Sequence, residues 1–593
     1  MLGRRPDQGS FFEADTQYIE CVGKDSFYGF LAGLRGQLFR DEEFASFYDK
    51  EGRGRPSVPP SLLATALLLQ TFDRVSDEEA KQRADFDLRW KVALGISIDC
   101  QPFAKSTLQL FRAQLVVHDE ARKLFQKSLK LAREKGFLTR NRKLRLALDT
   151  TNILGRGAVK DTYNLLADGI VLVLRQFAQI AGSDLAGAAL KRGLERYVSG
   201  RSIKGEAALN WDDAKERARL LREIVADGDK LLVEVREQRA VLGEGVQSEA
   251  LKEAAERLSQ VLLQDIERKE DGASLREGVA KDRMPSVHDP EMRHGHKSAH
   301  KLFNGHKGQI AVDTETQLIT SVAVLAGNAA DSSGALALVE AAEKNCEAEA
   351  AESVADCAFG DGTTRQAFAE AGRRLVAKVP VTRNGDRFPK TAFTIDLATE
   401  SCVCPAGQTG IARYSRQHKL RGFRFDPATC WACPLQAQCL RSRGGRSIAV
   451  HPQEALLQEA RAFQQSAAFA PYKHDRQAVE HRIARLVQLG IRQARYVGRA
   501  KTLFQLLMAA TVANLTLLAN AGNTRSAQNE QFLLAGTLVI AVAALIALAI
   551  APELAISPRR PSLGRSARTP TRPASQPASA HPLAKMAYSR PRF

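Results

Sequence analysis

The 593 residues carry a formal charge of +18, from 85 Lys and Arg against 67 Asp and Glu. A basic surplus of this size points to a polyanionic partner, because Lys and Arg release counterions from phosphates. The apolar fraction of 44% is enough for a large core, and nine cysteines are too few at this length for a disulfide-stapled scaffold.

The length suggests roughly three or four domains. Met1 to Phe11 is polar and charged, with no apolar signal-peptide core, so the expected location is cytoplasmic. Residues 1–140 read as a helical N-terminal region. Pro60–Phe72 holds a continuous apolar stretch, Ser76 with Glu79 resembles a capping box, and Ser106-Thr107 opens a further helix. Arg83, Arg89, Lys91, Lys105 and Arg112 lie among these helices, either as a solvated face or as DNA contacts.

The pattern then changes. Leu144, Leu146 and Leu148 alternate with other residues and predict a strand ending at Asp149. Residues 161–280 turn helical and highly charged, as an insertion. Strand signals return at Gln309–Asp313 and Leu318–Leu325, a helix at Gly334–Lys344, then strands at Ser353–Asp356 and Arg374–Pro380. This alternation predicts an α/β core built from 141–160 and 281–380. A cysteine-rich insertion covers 381–450, and helices at Gln453–Gln465, Asp475–Leu489 and Ala500–Ala519 make up 451–522. The last part, 523–593, combines an apolar stretch at 532–551 with a tail rich in Pro, Arg, Ser and Ala. The apolar stretch is long enough to cross a bilayer, and also suits a buried helix or an appended segment.

Phosphodiester transfer requires a strong nucleophile and neutralisation of developing charge, which two hard cations supply. Hard cations need oxygen ligands, so carboxylates must converge from different elements. Asp149 and Asp356 each close a predicted strand. Glu480 lies one helical turn after Arg476 on the same face, where a surface ion pair is the competing reading. Asp313 and Asp331 are the nearest competing acids and are expected to matter less.

Several blocks, in order, resemble bacterial insertion-sequence transposases with a DDE triad on a ribonuclease H-like fold. They are Asp87-Leu88-Arg89-Trp90 with Lys105-Ser106-Thr107-Leu108; Leu148-Asp149-Thr150-Thr151; Asp289-Pro290-Glu291-Met292-Arg293 with Asn304-Gly305-His306-Lys307; Ala355-Asp356-Cys357; Tyr472, Arg476 and Glu480; and Arg495-Tyr496-Val497-Gly498 with Lys501. The resemblance runs from about residue 26 to 520, within the subgroup that has a cysteine cluster before the catalytic glutamate. It implies a ribonuclease H-like mixed sheet, a catalytic triad of Asp149, Asp356 and Glu480 holding Mg²⁺ or Mn²⁺, and DNA contacts by Arg476, Lys501 and Tyr472. It also implies inverted-repeat ends and target DNA as substrates, a homodimer, and association with the nucleoid. Two residues depart from the family pattern. Phe359 stands where a tyrosine is common, and three residues separate Tyr472 from Arg476 where two is the commoner gap.

Cys404, Cys430, Cys433 and Cys439 give C-x25-C-x2-C-x5-C, with Cys402 as a spare. The Cys430-x2-Cys433 pair has the spacing of half a tetrahedral zinc site, and Zn²⁺ is the expected occupant. Free thiols in a loop and an iron–sulfur cluster are the other readings. A non-catalytic zinc-containing DNA-binding protein, a hydrolytic nuclease and an inactive transposase remnant remain as alternative functions.

Overall fold

The structure is a computed structural model that describes residues 1–5, 13–49, 54–139, 142–200, 202–270, 272–298, 300–381, 383–441 and 444–522. The apolar stretch at 532–551 and the basic tail lie outside the described residues.

One six-stranded sheet organises the core. Its strands are β1 (Leu144–Leu154), β2 (Arg293–Ser298), β3 (Lys301–Asp313), β4 (Ile319–Ala326), β5 (Ala350–Ala355) and β6 (Leu375–Val376). β1 pairs antiparallel with β3 and parallel with β5, and β6 continues in parallel beside β5. The far edge of β3 pairs with β2 along its first residues and with β4 along the rest. All five expected strands therefore meet in the mixed, ribonuclease H-like sheet that the sequence predicts.

The strand limits differ from expectation for physical reasons. β1 continues past Asp149 because Thr150–Leu154 pairs with Gly305–Gln309, so the acid lies inside the strand rather than at its end. Only the parallel pairing with β5 stops there, at Leu148 opposite Ala355. β6 shrinks to two residues, pairing only with Ser353 and Val354. β2 is rich in His and Lys without apolar alternation, so periodicity could not reveal it. Gly305 sits where β1, β2 and β4 crowd β3: a Cβ there would lie 2.0 Å from the Ile153 carbonyl oxygen, which only glycine avoids.

The N-terminal helices include α1 (Phe27–Leu38), α2 (Pro60–Asp73), α3 (Asp77–Phe86), α4 (Lys105–Val117) and α5 (Ala121–Glu134). α2 starts on Pro60 at a position where no N–H is needed, and every residue from Pro60 to Gln70 is buried. Such a helix has no polar face and must be surrounded by others. The Ser76 hydroxyl oxygen accepts from the Glu79 N–H at 3.1 Å, the N-cap half of the expected box. These helices share one hydrophobic core with the sheet and with the last described helix.

The insertion builds its own core from α6 (Thr162–Ala181), α7 (Ala214–Leu242) and α8 (Val246–Asp265), centred on Leu165, Val173, Ile224, Leu258 and Val261. Past β4 come α9 (Ala335–Cys346) and, after β5, α10 (Gly362–Glu370). The cysteine-rich segment adds two small antiparallel sheets over Phe393, Cys402, Phe423, Phe425 and Ile448. Helices α11 (Glu454–Gln465), α12 (Tyr472–Gln488) and α13 (Arg499–Gly522) follow. α6 and α13 are each long and apolar enough to cross a membrane, but in this structure both pack into protein cores. Asn514 on α13 completes the β4 edge. Its amide oxygen accepts from the Ile319 N–H and its Nδ2 donates to the Ile319 carbonyl, both at 2.9 Å.

Candidate active site

The site begins with strand register. Leu148 and Ala355 are partners in parallel strands, so the next residues, Asp149 and Asp356, leave the ladder side by side and on the same face. Asp149 is half-buried, and the Thr150 N–H donates to its Oδ1 at 2.7 Å. Its carboxyl is pushed up from 3.8 to about 6. Burial is the main cause, reinforced by the negative charges of Asp356 and Asp331, while the Thr150 N–H and the Arg476 guanidinium act against it. The Asp356 carboxylate accepts from the Ala358 N–H at 2.9 Å, which caps the short turn Cys357–Phe359.

α12 carries Glu480, the third candidate acid. A network of side chains locks the start of this helix onto the sheet. Arg145 on β1 forms ion pairs with Glu352 at 2.7 Å and with Asp475 at 3.0 Å. The Tyr472 hydroxyl donates to Glu352 Oε2 at 2.8 Å, and the Arg145 guanidinium lies 4.7 Å from the centre of the Tyr472 ring. Beyond the helix, Arg492 donates to Asn152 Oδ1 at 2.6 Å, and the Leu154 N–H donates to the Arg492 carbonyl at 2.9 Å. Held near both ends of β1, α12 runs beside the strand in the same direction. Glu480 faces solvent, and Arg476 Nη2 donates to its Oε1 at 3.4 Å. Arg476 thus pairs with Glu480 and also acts electrostatically on Asp149.

The structure brings Asp149 and Asp356 together, while Glu480 contacts Arg476, whose charge reaches Asp149. Lys501 is exposed on the first turn of α13, and none of the described acids forms an ion pair with it. Tyr472 differs from its expected DNA-facing role. It is buried, and its phenol points inward to Glu352. Asp313, a competing acid, is fully buried and tied to Arg142 and Thr316.

Sequence reasoning gave too little weight to Asp331. Lys307 Nζ donates to Asp331 Oδ1 at 2.6 Å and to the Ala329 carbonyl at 2.7 Å, while Gln309 Nε2 donates to the Asp331 carbonyl at 2.8 Å. These bonds from β3 hold the loop so that Asp331 adds to the charge around Asp149. The only sequence signal was its position shortly before α9.

Cys404, Cys430, Cys433 and Cys439 line one cavity of about 80 Å³. The Gln408 and Leu435 N–H groups donate to the sulfurs of Cys404 and Cys433, at 3.3 and 3.4 Å. The Cys439 thiol is pushed up by burial and by the other three cysteines around it. Cys402 is fully buried among aromatic side chains, and burial pushes its thiol up to about 11, so the spare cysteine belongs to the core. Among the described residues, no three His, Cys, Asp or Glu side chains converge into a ready-made metal site.

Residues 403–519 match the family described as Transposase DDE domain, and residues 20–114 match the one described as Transposase domain. These two matches support an insertion-sequence DDE transposase. The first match spans the cysteine cavity, α12 with Glu480, and Lys501, and the second spans helices α1 to α3 and most of α4. No curated protein and no solved structure matches this chain.

Proposed function

We propose that this protein is a transposase that cuts DNA at the inverted-repeat ends of an insertion sequence and joins the freed ends to target DNA, with Asp149, Asp356 and Glu480 as catalytic carboxylates. The observation that carries the reading is the pairing of Leu148 with Ala355, which delivers two acids from separate strands to one point. The acids suit Mg²⁺ or Mn²⁺. They offer only oxygen ligands, and burial beside Asp356 leaves Asp149 with a raised pKa that a cation would relieve. When bound, two such ions stabilise the attacking and leaving oxygens of an in-line displacement.

The remaining roles fall to the chain's own groups. Arg476 orients Glu480 and offers its guanidinium to a DNA phosphate. Lys501 is a further phosphate contact, and Tyr472 anchors the helix that carries both Arg476 and Glu480. Residues 1–140 would bind the element ends, and the cysteine cavity would hold a structural Zn²⁺ through Cys404, Cys430, Cys433 and Cys439. The acting unit would be a homodimer associated with the nucleoid.

A strand-transfer assay with Mg²⁺ and labelled end oligonucleotides tests this reading. The wild type should cleave and join. Asp149→Ala, Asp356→Ala and Glu480→Ala should each lose both steps but keep DNA binding, which rests on Lys and Arg. Cleavage without joining by the wild type would reassign the chain to a hydrolytic nuclease. Joining by all three variants would sink the mechanism.

A further inference from the structure

A pair of arginines lies on the side of α12 away from Glu480. Arg482 and Arg485 are three residues apart and share a face of that helix. They line a groove of about 660 Å³ with Phe27, Phe72, Thr516 and Leu517, and no acidic side chain lines it. Both arginines are half-buried. Arg482 Nε is shielded from solvent with no hydrogen-bond partner, and Arg485 Nη1 donates only to the neutral Gln488, at 3.4 Å. Among the described residues neither arginine forms an ion pair, whereas Arg35, Arg83, Arg112 and Arg145 each have a carboxylate within 3.0 Å. Burial holds both guanidinium groups below their ordinary range, and Arg485 adds to the effect at Arg482.

Two adjacent, half-buried cations without a counter-charge cost free energy unless an anion completes them. Guanidinium forks suit phosphate oxygens in particular, because each can donate two parallel hydrogen bonds. The stacked rings of Phe27 and Phe72, 4.3 Å apart, form a firm apolar wall beside them.

We propose that Arg482 and Arg485 form a binding site for the phosphodiester backbone of duplex DNA, separate from the acid cluster. DNA is favoured over an acidic protein because the same helix carries Glu480, about 3–7.5 Å away along its axis. The two sites face different sides, since Arg482 and Arg485 lie roughly 140–200° around the helix from Glu480. A duplex in the groove is therefore a stretch of DNA away from the reacting phosphate. The inference rests on the transposase reading above.

The test is fluorescence-anisotropy titration of a labelled duplex against the full chain, in EDTA, over a series of salt concentrations. Arg482→Gln/Arg485→Gln should bind about tenfold more weakly or worse, and the slope of log K against log salt should fall by about 1.8, or 0.9 per lost phosphate contact. Arg485→Gln alone should remove about half of that slope. Both variants should melt at or above the wild-type temperature, because the charges they lose are unpaired. Variants that match the wild type in slope and affinity would overturn the site and leave the transposase reading intact. Loss of cooperative melting in both would also overturn it, by making the arginines part of the core. A wild type that binds no duplex at any salt would overturn the site and the transposase reading together.

Discussion

Arg145 and Asp475 form a 3.0 Å ion pair that fixes the start of the Glu480 helix to the strand carrying Asp149. Arg145 lies four residues before Asp149, and Asp475 lies five before Glu480, so the pair constrains where Glu480 lies relative to Asp149. Arg145 also neutralises Glu352, so its removal strands two carboxylates in a half-buried network.

Arg145→Met should therefore lower stability by about 2 kcal/mol, between the values for surface and fully buried pairs. Denaturant unfolding measures the loss. Strand transfer should fall further than the remaining folded fraction accounts for, because α12 is no longer held in register. Unchanged stability would mean that the network is not an anchor.

The raised carboxyl of Asp149 makes the metal-free protein pH-sensitive. Its folded-state value is about 6 against an ordinary 3.8. The fold therefore favours the protonated form, and the stabilisation is full below about pH 3.8 and lost as pH rises through about 6. The group should contribute about 3 kcal/mol to this change. In EDTA, wild-type stability relative to Asp149→Asn should fall by that order between pH 4 and 7. Parallel profiles for the two proteins would refute the assignment.

Asn514→Ala removes both partners of the Ile319 backbone groups. Leaving a buried donor and acceptor unpaired costs about 1–3 kcal/mol each. Hydrogen exchange at the Ile319 amide should accelerate well beyond that of amides in the centre of β3. Equal protection in the variant would show that another group takes over the pairing.

The cysteines should separate into two kinds. Elemental analysis should find one zinc per chain, lost in Cys430→Ser/Cys433→Ser. Cys402→Ser should keep the metal but lower the melting temperature, since it puts a hydroxyl into an aromatic core. Zinc retained in the double variant would exclude the cavity as its site.

The sheet was legible because its strands carry alternating or continuous apolar residues, as at Leu144, Leu146 and Leu148. β2 was not, because its hydrogen bonds to β3, and not its side chains, define it. Asp149 and Asp356 stood out as acids after apolar runs, but their adjacency depends on the parallel pairing of β1 with β5, between residues some 200 positions apart. Asp331 and Arg492 gave little signal, since each acts through long-range bonds to a strand. The inward turn of Tyr472 follows from Glu352, a partner 120 residues away.

The placement of α13 has a consequence for synthesis on the ribosome. The N-terminal helices share their core with Leu506, Leu515 and Leu518, and Asn514 Nδ2 reaches the Ser128 hydroxyl across 386 residues. At about 5–20 residues per second, the earlier partner waits on the order of 20–80 s for the later one. Throughout that interval α2, apolar on every side, lacks part of its final surroundings. The nascent chain therefore carries an incompletely covered apolar helix until α13 is made, and a chain cut short before α13 lacks Leu506, Leu515 and Leu518 from that shared core.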